Sequence, residues 1–138
     1  ETVLLQDSEA TLATLHQLRK LGVRIAMDDF GTGYSSLSYL QRFPFDKIKI
    51  DRSFVKDITV ANSSLNIVRA VAALANGLGI ATTAEGVETQ EQLNTVKSEG
   101  CTEMQGFLFS KPVPARQIDH LIKSRHKERK AATVMDAA

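Results

Sequence analysis

The chain has 138 residues, 43% of them hydrophobic and 24% charged, with a formal net charge of +1. Those values suit one ordinary globular domain and exclude collagen-like and disordered classes. No apolar run approaches the roughly 18–20 residues that span a bilayer, no secretory leader is recognisable, and lone Cys101 cannot form an internal disulfide; the expectation is a cytoplasmic chain without membrane contact of its own.

The predicted elements alternate between helix and strand. Ser8 to Leu21 carries Leu12, Leu15 and Leu18 at helical spacing, with Ser8 as the expected cap and Gly22 as the stop. Val23 to Met27 reads as a short buried strand ending in Asp28-Asp29, followed by a glycine-rich loop and an amphipathic segment from Ser35 to Phe43 that Pro44 breaks. Asp46 to Asp51 alternates with period two and reads as the next strand. Ser63 to Leu78 is the longest predicted helix, and Ile80 to Ala84 the strand after it. Thr89 caps a helix through Ser98, with Gln92 as capping-box partner. Met104 to Phe107 is a fourth strand candidate, and Pro114 opens a last helix.

Beyond about His126 the apolar periodicity stops, so 1–126 reads as domain and 127–138 as a basic tail. Lys123, Arg125, Lys127, Arg129 and Lys130 face only Glu128 there, which leaves the rest of the chain mildly acidic. The run reads as a solvated helix end. Six Phe and two Tyr without basic–aromatic interleaving argue against a nucleic-acid polymer as partner.

Alternating strands and helices imply βα units and a parallel sheet, either doubly wound or a (β/α)8 barrel. Polar residues cluster at the predicted strand ends: Asp28 and Asp29, Lys49 and Asp51, Glu85 and Glu88, then Gln105. Carboxyl ends of parallel strands face one way, so these groups converge on one rim, as a metal-assisted site on a barrel face requires.

Adjacent carboxylates repel unless a cation lies between them. Asp28-Asp29 is therefore a candidate for Mg²⁺ or Mn²⁺, with a solvated pair capping a loop as the alternative. Gly31-Thr32-Gly33 matches neither a P-loop nor a dinucleotide fingerprint, and reads as a close ligand approach or a plain loop. Lys49 either projects into the rim beside Asp51 or is an ordinary surface lysine; Glu85 is a metal ligand, a general base or a helix cap. The histidines show no ligand spacing, and Cys101 reads as a small buried apolar residue.

Asp28-Asp29-Phe30-Gly31-Thr32-Gly33-Tyr34-Ser35-Ser36-Leu37, Ile48-Lys49-Ile50-Asp51-Arg52-Ser53-Phe54-Val55, Ala84-Glu85-Gly86-Val87-Glu88-Thr89 and Gln105-Gly106-Phe107-Leu108-Phe109-Ser110-Lys111-Pro112 stand in that order. Together they resemble the EAL-type cyclic-di-GMP phosphodiesterase domain. The resemblance implies an α/β fold, the C-terminal part (about four βα units) of a (β/α)8 TIM-like barrel that hydrolyses cyclic di-GMP to linear pGpG with two Mg²⁺ or Mn²⁺ ions. It implies that Asp28 bridges both metals, that Asp29 and Glu85 bind the second, and that Lys49 holds the attacking water with Asp51 beside it and Gln105 in the inner polar shell. Glu1 corresponds to a glutamate that steadies the loop of Phe30, Gly31, Thr32 and Gly33. That loop and the helix after it would couple substrate, metals and a homodimer interface, and Glu88 would support the site from outside.

The resemblance further implies covalently linked sensory or diguanylate cyclase-like domains, some of which anchor such proteins to membranes. The chain lacks the family's Glu-Ala-Leu strand, its Asn-bearing strand and the first glutamate of its Glu-x-Thr-Glu segment, which supply most ligands of the first metal. The isolated chain is therefore expected to be inactive and to associate through its open sheet. The alternative is a degenerate, non-catalytic module that binds cyclic di-GMP or dimerises. Against a barrel of about 250 residues, 138 is a little over half.

Overall fold

The computed structural model describes residues 8–32 and 37–123. Four strands, β1 (Ala26–Phe30), β2 (Lys47–Ile50), β3 (Ala81–Ala84) and β4 (Glu103–Met104), form one sheet in the order β1-β2-β3-β4, with every pairing parallel. Parallel neighbours need crossovers. These are α2 (Leu37–Arg42), then α3 (Arg52–Lys56) with α4 (Asn62–Gly77), then α5 (Gln90–Ser98); α1 (Ser8–Lys20) precedes β1 and α6 (115–123) follows β4.

The two sheet faces differ because successive strand residues point opposite ways. On β2, Ile48 and Ile50 are fully buried against the helix layer with Val55, Val68, Ala72, Ala75 and Val96, while Lys47 and Lys49 take the other face. Polar residues are thus held on the face away from the apolar core, which is what a site there needs.

The three helices that lead into β1, β3 and β4 stop in the same way. The N–H groups of Gly22, Gly79 and Gly100 donate to the carbonyls of Arg19, Asn76 and Lys97, and those of Val23, Ile80 and Cys101 to Leu18, Ala75 and Val96. This is the Schellman pattern, which needs the left-handed φ of 82°, 69° and 88° found at these glycines. All three stops were legible in the sequence.

The structure differs from the sequence reading at three places. Asp46 takes the Ile25 N–H on Oδ2 at 2.8 Å and the Arg19 guanidinium on Oδ1 at 3.0 Å, so residues 23–25 leave the sheet and β1 starts at Ala26, carrying both aspartates inside it. Residues 52–56 form the short helix α3, capped by Asp51, which periodicity did not reveal. The fourth strand ends at Met104, because Gln105 and Gly106 turn against Val87: Val87 N–H donates to the Gln105 carbonyl at 3.0 Å, and a Cβ on Gly106 would lie 2.1 Å from the Val87 oxygen. Among the described residues no helix is long and apolar enough to cross a membrane. The tail at 127–138, Glu1 and Gly33 lie outside the described residues.

Candidate active site

The two aspartates reach one place because β1 carries an extra residue. Met27 pairs with Ile48 and Phe30 with Ile50, so three steps on β1 face two on β2. In a regular strand Asp28 and Asp29 would point to opposite faces. Here Asp29 adopts φ 52°, a left-handed conformation that Asp tolerates better than most residues. Thr32 holds it there, donating to the Asp29 carbonyl from its hydroxyl at 2.9 Å and its N–H at 3.3 Å.

Glu85 follows β3 directly, with its N–H bonded to the Ile50 carbonyl at 3.1 Å. One carboxylate oxygen each of Asp28, Asp29 and Glu85 lie within 4.8 Å of one another. Lys49 extends from β2 between two of them, with Nζ 2.7 Å from Asp28 Oδ1 and 2.7 Å from Glu85 Oε1. The Glu85 side chain is 17% exposed and that of Asp28 62%, so the cluster opens on the Asp28 side. Lys49 holds the Asp28 carboxyl below the usual carboxylate range, and both carboxylates push the Lys49 ammonium above the usual lysine range.

Beneath this cluster, on the same face, Lys47 pairs with Glu103, and the Thr83 hydroxyl donates to the same Glu103 oxygen at 3.2 Å. The pair links β2 to β4 across β3, and Lys47 holds the Glu103 carboxyl below its usual range. Glu103 was not singled out from the sequence; the available signal was its place two residues before Gln105, on the face that Lys47 and Lys49 share.

Other predicted site residues are placed differently. Asp51 makes no ion pair with Lys49 among the described residues; it caps α3, accepting the Ser53 N–H at 2.9 Å. The Ser53 hydroxyl and N–H hold its carboxyl below the usual range. Gln105 has an exposed side chain at the end of β4. Phe30 is buried in the core, and Gly31 lies under the Phe54 ring, where a Cβ would stand 2.8 Å from Cε2. Glu88 is exposed two residues beyond Gly86. Cys101 is buried, and burial pushes its thiol up.

Chemically, the cluster offers three hard oxygen donors and no Cys or His, a set that suits Mg²⁺ or Mn²⁺ rather than Zn²⁺. The comparisons with known proteins agree with the fold. The cyclic di-GMP phosphodiesterase NbdA of Pseudomonas aeruginosa is 42% identical over 124 residues, which make up 90% of this chain and 16% of that protein. The crystal structure of the EAL domain of Mycobacterium smegmatis DcpA superposes with a TM-score of 0.83 at 48% identity, over 90% of this chain and 56% of that one. BlrP1 of Klebsiella pneumoniae, solved with manganese and cyclic di-GMP, gives a TM-score of 0.74 at 44% identity, over 81% of this chain and 29% of that one. The chain spans 14% to 20% of the length of the first curated relatives it matches. These neighbours are barrel-like EAL folds, of which the four parallel strands here form part. The EAL domain family profile matches residues 1–112, and the chain belongs to that family.

Proposed function

We propose that residues 1–126 are the C-terminal part of a domain that hydrolyses one phosphodiester bond of cyclic di-GMP to linear pGpG, with 127–138 as a tail. The observation that carries this reading is the Asp28, Asp29 and Glu85 cluster with Lys49 between its members. The named activity of NbdA and the manganese and cyclic di-GMP held by BlrP1 support it.

Asp28, Asp29 and Glu85 would hold Mg²⁺ or Mn²⁺, as one of two ions that the complete domain would use. Such ions stabilise negative charge on the oxygens of a phosphodiester under attack. Lys49 has three N–H donors, of which two go to Asp28 and Glu85. The third is free for the attacking water or a phosphate oxygen. With its ammonium held above the usual lysine range, Lys49 acts as a fixed cation and hydrogen-bond donor and not as a base. Glu85 spends Oε1 on Lys49 and keeps Oε2 to accept hydrogen from the water. As water adds to phosphorus its proton passes to Glu85 and on to solvent, the bond to the 3′ oxygen breaks, and that oxygen takes a proton from solvent, which gives the 5′-phosphorylated linear dinucleotide. Gln105 presents an exposed amide to the same rim. Asp51, two residues after Lys49, orders α3 by capping it. The loop after Asp29 and helix α2 would form a homodimer face, and sensory or diguanylate cyclase-like domains would precede this segment in a longer cytoplasmic or membrane-anchored protein.

The test is hydrolysis of cyclic di-GMP with Mn²⁺ by the chain extended through its upstream sequence. Turnover is expected there and none in the 138-residue chain, whose partial ligand set cannot serve both attacking and leaving oxygens. Asp28→Asn, Lys49→Met and Glu85→Gln should each lower kcat by at least ~100-fold, a typical loss for one electrostatic or acid–base group. A folded extended protein that binds cyclic di-GMP without turnover would favour the non-catalytic binding module.

A further inference from the structure

Beside the carboxylate cluster, a recess of about 340 Å³ lies between α3 and the loop after β3, lined by Arg52, Lys56, Gly86, Glu88 and Gln92. Its walls are fixed. The buried Gln92 side chain accepts the N–H groups of Glu88 at 2.8 Å and Thr89 at 3.0 Å on Oε1, and its Nε2 donates to the Lys56 carbonyl at 3.2 Å. One amide therefore ties the end of α3 to the loop opposite. Gly86 allows their close approach, since a Cβ there would lie 2.5 Å from the Arg52 Cβ, and its φ is 71°.

The cations of this recess have no ion-pair partner among the described residues. Arg52 and Lys56 stand four residues apart, hence on one face of α3, both are exposed, and neither pairs with a carboxylate within 4.0 Å among the described residues. Against them the lining holds one carboxylate, Glu88, so the recess is net positive next to a net negative cluster. Arg52 directly follows Asp51 and Gly86 directly follows Glu85, so the recess opens one residue from the site on two elements. The volume is about ten times one water's share of the liquid, ~30 Å³. That is room for a phosphate with its ester carbons and some water.

We propose that this recess binds a phosphate group that is not being cleaved, belonging to the nucleotide substrate or its linear product. The inference deepens the cyclic-dinucleotide reading and rests on it for the ligand's identity. A cyclic dinucleotide carries two phosphates, and one of them alone can occupy the carboxylate cluster. The other needs its own counter-charge, and the Arg52 fork with the Lys56 point charge supplies a bidentate and a single contact.

The experiment measures binding to the full 138-residue chain in EDTA, where hydrolysis plays no part, by calorimetry and by NMR shifts of the Gly86 amide. The probes are cyclic di-GMP, guanosine 5′-monophosphate, inorganic phosphate and guanosine. The phosphate-bearing probes should bind and shift Gly86, with affinity falling as salt rises, and guanosine should not. Arg52→Gln with Lys56→Gln should raise Kd at least tenfold, and Arg52→Lys with Lys56→Arg should restore most of it. Binding of the monoesters but not the cyclic diester would assign the recess to the product's terminal phosphate. Equal binding of guanosine, an unchanged Kd in the Gln double variant, or no binding of any phosphate probe would overturn the proposal. Since turnover is not read, loss of activity in the extended protein would leave a positive result standing.

Discussion

At Lys49 two carboxylates share one ammonium, each at 2.7 Å, and a definite pH dependence follows. The Asp28 pKa is depressed on folding, so its contribution is full above the unfolded value near ~3.9 and is lost as pH falls through the lower folded value. The Lys49 pKa is raised, so its contribution is full below ~10.4 and is lost as pH rises through the higher folded value. Stability should therefore be flat in this respect from about pH 5 to 9. In urea denaturation, Lys49→Met should weaken the fall in stability between pH 5 and 2, and carbon NMR should show the Asp28 carboxyl titrating at higher pH than in the wild type. Asp28 is largely exposed, so the pair itself is worth little, about 0–1 kcal/mol after solvent screening. Asp29 gives a separate prediction from its φ of 52°. Asp29→Ala should destabilise the fold by about 1–2 kcal/mol relative to Asp29→Gly, since a Cβ is strained in that conformation. Both variants should bind Mn²⁺ more weakly, and chemical denaturation with calorimetry separates the two effects.

Among the elements, α5 shows how much one residue organises. Thr89 and Gln92 form the capping box that the sequence spacing predicted, with the Thr89 hydroxyl accepting the Gln92 N–H at 3.1 Å. What the spacing did not reveal is that the Gln92 amide also holds the Lys56 carbonyl, because that contact crosses 36 positions of chain. Gln92→Ala leaves two N–H groups and a carbonyl without their partner and should cost about 2–3 kcal/mol, more than the ~1 kcal/mol expected of Thr89→Ala. Thermal and urea unfolding of the two variants would check the order. The turn after β4 is just as sensitive. Gly106→Ala would drive a Cβ into the Val87 backbone and should cost about 3 kcal/mol or more, breaking the bond from Val87 N–H to the Gln105 carbonyl.

For the molecule as a whole, β1 and β4 are sheet edges among the described residues, Phe107 and Ile118 are exposed where they line an apolar groove of about 570 Å³, and Ile122 is exposed on α6. Unpaired edges and uncovered apolar surface favour association. The 138-residue chain should therefore form oligomers in multi-angle light scattering, and a stable monomer would contradict this. Extension through the upstream sequence should reduce that tendency and protect the β4 amides from hydrogen exchange.

Much of this was present in the sequence because it depends on local chemistry. Helix stops at Gly22, Gly79 and Gly100, the Thr89 cap and the alternation in Ile48-Lys49-Ile50 each need only neighbouring residues. The strand ends also marked Asp28, Asp29, Lys49, Asp51, Glu85, Glu88 and Gln105 as one rim, since parallel strands bring their carboxyl ends to one side. Tertiary structure alone decided how those residues meet. The extra residue in β1 turns both aspartates to one place, Lys49 lies between Asp28 and Glu85 and not against Asp51, and Asp51 instead caps a helix invisible to periodicity. The Lys47–Glu103 pair and the Gln92 tie likewise join residues 56 and 36 positions apart. Local pattern records which face a side chain takes. Which charge it meets on that face depends on strand register and on bulges, and those are set by packing across the whole sheet.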